Sequence, residues 1–230
     1  MNESMKPVKL IRDRKSEMGF SIAEMVVVMA IIGVVSIIAM MSYSTQKMYE
    51  AESQTFLIID VLQEARQRAL SQRTTMRVEV NATKKMLRLI DERTSGDASD
   101  DVLVKSIPFM EQGVYIGTKP ANVSNTPTEL SPVPVTPFEN STHPLSSGDS
   151  AITLRFQRNG VVMSAGTNAA GANATPTGST IYIWSKYADD NSATPTQAQV
   201  MRAITVSASS GATRMWKCLF SNESCSNWTK

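Results

Sequence analysis

Hydrophobic positions along the chain fall into two regimes, one long and unbroken, the other short and alternating. The unbroken one follows Gly19 and covers residues 20–41, F-S-I-A-E-M-V-V-V-M-A-I-I-G-V-V-S-I-I-A-M-M, with Glu24 as its one charge. At 1.5 Å rise per residue these 22 positions make a helix of roughly 33 Å, enough for a hydrocarbon core of about 30 Å. It reads as a single membrane-spanning helix. Apolar residues then recur at three- and four-residue spacing through Met48, Phe56, Ile59, Leu62, Ala65 and Ala69, which is one stripe. Lys47, Glu50, Glu52, Asp60, Glu64, Arg66, Arg68 and Arg73 fill much of the remaining surface. No Pro or Gly interrupts residues 34–80. The pattern therefore predicts one helix over about 20–72, its second half packed against a sheet.

The alternating regime begins next. Residues 76–80 alternate Met or Val with Arg77 and Glu79, residues 86–90 alternate similarly, and 81–85 joins them as a hairpin. Further strands are predicted at 102–109, 114–116, 152–156, 160–163, 180–184 and 200–207. Two stretches break the pattern. Residues 118–150 hold six of the ten prolines among Ser, Thr and Asn, and 164–179 is almost wholly Gly, Ala, Asn, Thr and Ser. Both read as flexible insertions. The predicted class is α+β: a long N-terminal transmembrane helix (20–42) whose continuation packs on an antiparallel sheet in a head of residues 43–230.

Composition changes this picture in few places. The 230 residues admit one anchor and one head of ordinary size. Ahead of the span, Lys6, Lys9, Arg12, Arg14 and Lys15 outnumber Glu3, Asp13 and Glu17 by two, which is the whole of the formal charge of +2. Positive residues there predict a cytoplasmic N-terminus and a head outside the inner membrane. The rest of the chain is near neutral, so no global basic field draws it to nucleic acid or anionic lipid. Cys218 and Cys225 are the two cysteines. An oxidising exterior makes a disulfide between them the expected state, against a metal pair or two free thiols. With a single histidine, zinc lacks a ligand set.

Catalytic chemistry finds little footing. His143 sits in the proline-rich stretch, a poor place for a rigid general base. There is no Gly-x-Ser-x-Gly elbow, phosphate-cradling Gly loop or His-Glu-x-x-His helix. Gly148-Asp149-Ser150 is an ordinary loop tripeptide, and the acidic run 97–101 lacks calcium-ligand spacing and reads as a solvated turn. No catalytic residue, metal or cofactor is predicted, and the chain does not read as an enzyme.

The junction Gly19-Phe20-Ser21-Ile22-Ala23-Glu24 resembles the processing site of the type IV pilin family, which includes the pseudopilins of type II secretion. The resemblance implies a leader, 1–19, that prepilin peptidase removes after Gly19, methylating the new amine of Phe20. The hydrophobic helix would be retained, unlike the core of an ordinary signal peptide. Glu24 would become the fifth residue of the mature chain. A carboxylate deep in a bilayer costs on the order of 3 kcal/mol on insertion scales. Glu24 lies only about 6 Å along the axis from Phe20, so it can stay near the interface until assembly. Among packed helices it would need a cation, and the amine of a neighbouring subunit's Phe20 would supply it. The plainer alternative is a signal-anchor helix with an incidental Glu.

Residues 62–78, L-Q-E-A-R-Q-R-A-L-S-Q-R-T-T-M-R-V, resemble the helix end and first strand of GspH/FimT-type minor pilins. Leu154-Arg155-Phe156 with Asn159-Gly160, and the 202–207 run leading to Gly211, match that domain's order of strands. Arg66 and Arg68 would belong to this signature, or be solvated helix cations. The resemblance implies a structural subunit, initiating or capping a type IV pilus or type II secretion pseudopilus alongside other pilins or pseudopilins. A rival reading is DNA uptake, since FimT-like relatives bind DNA through a basic tail with a Gly-Arg-x-Arg pattern. Here Gly211-Ala-Thr-Arg214-Met-Trp216-Lys217 carries Ala in place of the first Arg. Arg214 and Lys217 would contact phosphates while Trp216 and Trp228 stack on bases. The bland reading of the same residues is sheet core and rim. A membrane-anchored enzyme or sensor is the remaining rival.

Overall fold

The computed structural model describes residues 21–94, 97–109, 114–117, 119–120, 122–124, 126, 138–185, 201–221 and 224–229. Two compact units divide the chain, Met1–Tyr43 and Ser44–Lys230. Helix α1, Ile22–Gln72, begins in the first and ends in the second. Within the first unit, Glu24 and Ser36 are the polar side chains of an otherwise apolar or small-residue Ile22–Ala39 segment. Ile22–Ala39 has a mean hydropathy of 2.7 with none of it buried, so this segment is long and apolar enough to cross a membrane. Ser36, the hydroxyl within it, donates to the Ile32 carbonyl at 2.7 Å, so its O–H is satisfied inside the helix.

In the second unit eleven strands follow among the described residues: β1 Thr75–Asn81, β2 Met86–Glu92, β3 Val102–Pro108, β4 Val114–Gly117, β5 Glu139–Asn140, β6 Ser150–Phe156, β7 Val162–Met163, β8 Ser179–Ser185, β9 Met201–Val206, β10 Thr213–Ser221 and β11 Ser224–Thr229. They form two antiparallel sheets where the sequence predicts one. The first runs β3-β2-β1-β6-β5 with β7 paired to β6, and the second runs β11-β10-β9-β8-β4. The class is α+β, as predicted.

The outer half of α1 supplies the core. Its buried stripe is Ala51, Ile58, Val61, Leu62, Ala65 and Ala69. Against it pack Met76, Val78, Val80, Leu87, Leu89, Ile152, Leu154 and Phe156 of the first sheet and Ile181, Ile183, Ile204 and Val206 of the second. The helix is rotated from the predicted stripe: Phe56 is 49% exposed and Ile59 only partly buried. The buried face carries the small Ala51, Ala65 and Ala69, and Phe56 lies on the exposed side.

Candidate functional site

The helix start comes first. Ser21 Oγ accepts from the Ala23 amide at 3.3 Å, while the Ser21 amide donates to Glu24 Oε2 at 2.9 Å. Ser21-x-x-Glu24 is thus a capping box, which satisfies amides that a helix end leaves open. That pattern is readable from the residues alone and gives Glu24 a role within its own helix. Glu24 is otherwise exposed. Gly19, Phe20 and the leader lie outside the described residues.

The tail forms two strands, β10 and β11. β10 pairs with β9 on one side and with β11 on the other. The Cys218–Cys225 disulfide, with Cα atoms 5.9 Å apart, lies inside this hairpin. Trp216 is 2% exposed, donates through Nε1 to Thr205 Oγ1 at 3.0 Å, and sits in a second buried cluster with Tyr182, Trp184, Met201 and Ala203. Arg214 lies over the Trp216 ring, 5.7 Å from its centre. Lys217 Nζ pairs with Glu52 Oε1 at 2.9 Å on α1. The stacking role predicted for Trp216 is therefore corrected: a buried ring cannot offer its face to a base. Residue parity along β10 places Arg214, Trp216 and Cys218 on one face and Lys217 on the other, so Lys217 does not converge with Arg214 and Trp216. Trp228 packs on Tyr182, ring centres 6.0 Å apart, and burial pushes the Tyr182 hydroxyl pKa up to about 12.

Most of the unanticipated chemistry lies on the face of the first sheet opposite α1. Arg77 and Arg155 are direct cross-strand partners on β1 and β6, a repulsive arrangement on its own. Glu92 resolves it, accepting from Arg77 Nε at 2.8 Å and from Arg155 Nε at 2.9 Å and 2.8 Å, with a further bond from Arg155 Nη2. The remaining guanidinium donors reach carbonyls of the 164–179 stretch: Arg77 to Ala169 at 2.7 Å, Arg155 to Ala170 and Gly171, each at 3.1 Å. Gly171 is at φ 74°, and a Cβ there would fall on the Arg155 guanidinium. Glu79 accepts from Arg77, from Ser141 Oγ at 3.1 Å and from Ser146 Oγ at 2.6 Å. Arg88 donates to the Leu145 carbonyl at 2.6 Å, and Asn81 to Asp149 Oδ2 at 2.8 Å.

This layer revises two expectations. Residues 138–150 and 164–179, read as flexible, lie over the sheet and supply the partners its buried charges require. Residues 127–137 lie outside the described set. His143, read as a loop histidine, is 1% exposed, with Nε2 at 2.8 Å from Asp101 Oδ2 and Nδ1 accepting from the Leu145 amide at 3.3 Å. Asp101, expected in a solvated turn, has a buried side chain. Burial pushes its carboxyl above the usual range, the His143 bond opposes that, and the charge of Glu92 adds to it. Both ring nitrogens of His143 are engaged, so its geometry is that of a fastener for the loop.

Arg66 and Arg68 also have defined places. Arg68 pairs with Glu64 at 2.9 Å along the helix, and Glu64 also receives Lys105 of β3 at 3.1 Å. Arg66 Nε donates to the Ser210 carbonyl at 2.7 Å, tying α1 to the β9–β10 turn.

Searches against protein-family models, curated proteins and solved structures give no match to this chain.

Proposed function

We propose that the chain is a minor pilin or pseudopilin of the GspH/FimT kind. Prepilin peptidase cleaves it after Gly19 and methylates Phe20, and it enters a type IV pilus or a type II secretion filament. The head then stands on the outer side of the bacterial inner membrane. One observation carries this reading: no residue of the Ile22–Ala39 segment is buried, and the segment directly follows the Gly19-Phe20 junction. An apolar surface of that length needs lipid before assembly and packed helices after it. Glu24 then has two successive partners, the Ser21 amide of its own helix and the Phe20 amine of a neighbouring subunit.

Two substitutions separate these roles. Glu24→Gln keeps an acceptor for the Ser21 amide and removes the charge, while Glu24→Leu removes both. Both variants are expected to insert in the membrane, and both to be lost from sheared filaments assayed by immunoblot. Filament entry of Glu24→Gln at the parent level would contradict the charge-pairing role. Filament entry of Glu24→Leu would contradict the assembly role altogether.

A further inference from the structure

A polar groove of about 400 Å³ separates α1 from the β9–β10 turn, lined by Gln63, Arg66, Gln67, Leu70 and residues 211–213. Its helix-side residues are spaced i, i+3, i+4 and i+7, so they share one face. Arg66 is fixed in it: Nε is tied to the Ser210 carbonyl at 2.7 Å. Its stem crosses Gly211, where φ is 64°. A Cβ there would meet the Gly160 carbonyl at 2.9 Å and Arg66 Cδ at 3.1 Å. Among the described residues, Nη1 and Nη2 of this guanidinium have no protein partner. A held guanidinium with two open, coplanar donors is a fork for a carboxylate.

The groove's other groups narrow the ligand. Gln67 and the carbonyl of Gln63 offer amide groups suited to peptide backbone. Leu70, 43% exposed, offers an apolar contact at one end. Nearby positive charges are largely spent, Arg68 on Glu64 and Lys217 on Glu52. Asp60 is exposed one turn before Gln63 on the same helix. A polyanion needs several cations at once; one fork flanked by amides and a leucine matches a single acidic side chain in an extended peptide. We infer that this groove binds an Asp or Glu side chain of a partner polypeptide through Arg66, with Gln63 and Gln67 on the adjoining peptide groups. The site is independent of the filament reading and stands or falls separately from it.

The test is an NMR titration of the full chain in detergent micelles, following the side-chain amide signals of Gln63 and Gln67. The probes are a blocked pentapeptide with one central Glu between Val residues, the same peptide with Gln, and a short DNA duplex. Saturable shifts are expected with the Glu peptide and roughly tenfold weaker binding with the Gln peptide. Arg66→Lys, which keeps charge but loses the fork, should weaken the Glu peptide about fivefold or more. Gln67→Ala, a change at an exposed residue, should give a smaller loss with the fold intact. Equal binding of both peptides, an unaffected Arg66→Lys variant, no saturable shift, or shifts with DNA alone would each overturn the assignment.

Discussion

Glu92 stands between two arginines that β1 and β6 place directly opposite each other. Its side chain is 5% exposed, that of Arg77 is 1% and that of Arg155 is 10%. Removing the carboxylate would leave two buried guanidinium groups facing one another, and loss of one member of such a set costs about 3–5 kcal/mol. Glu92→Ala is therefore expected to lower the unfolding free energy of the full chain by that amount in a denaturant titration. A loss below about 1 kcal/mol would mean that water, rather than Glu92, solvates the arginines. At this scale the residues were visible in the sequence but their environment was not. Arg77, Glu79 and Arg155 alternate with apolar neighbours just as solvent-facing positions do. What buries them is loop backbone from residues 169–171 and hydroxyls at 141 and 146, too far along the chain for any local pattern to report.

Among the elements, α1 and the β1–β2 hairpin were legible because their signals are long and periodic: a 3.6-residue stripe and clean alternation. The β10–β11 hairpin was not. Its period-2 run through Trp216, Cys218 and Phe220 ends in Ser and Asn, which carry no strand signal. The elements are also joined by carboxylates whose pKa values report the joints. The Lys217 hydrogen bond, aided by Arg202, holds Glu52 below the usual range, and the Lys105 bond does so for Glu64. The Asn81 amide lowers Asp149, which fixes the 141–149 loop to β1. For a lowered acid, stability is present above the unfolded-state pKa and is lost as pH falls through the folded value. Asp101, raised by burial, works in the opposite sense and recovers some stability when protonated. Three joints weaken against one that improves. The melting temperature of the full chain should therefore fall between about pH 5 and about pH 3, and Glu52→Gln should make that fall shallower. A flat or rising melting temperature over the same interval would show that these contacts do not hold the elements together.

For the whole molecule, the division between the apolar Ile22–Ala39 segment and a compact head was legible from hydropathy. The wrapping of the head's first sheet by its own low-complexity stretches was not. Stretches of Gly, Ala, Asn and Ser carry few side chains to pattern, yet their carbonyls are what buried arginines need. The disulfide joins neighbouring strands that already pair, so it braces the tail rather than defining the fold. The proposed role requires one covalent event at the N-terminus, outside the head and independent of every contact in it. The most direct measurement is the intact mass and N-terminal sequence of the protein purified from cells with active prepilin peptidase. A chain that begins at Phe20, lacks residues 1–19 and carries one added methyl is the expected result. A chain that retains Met1 through Gly19 in those cells, or one cut elsewhere in the apolar segment, would contradict it.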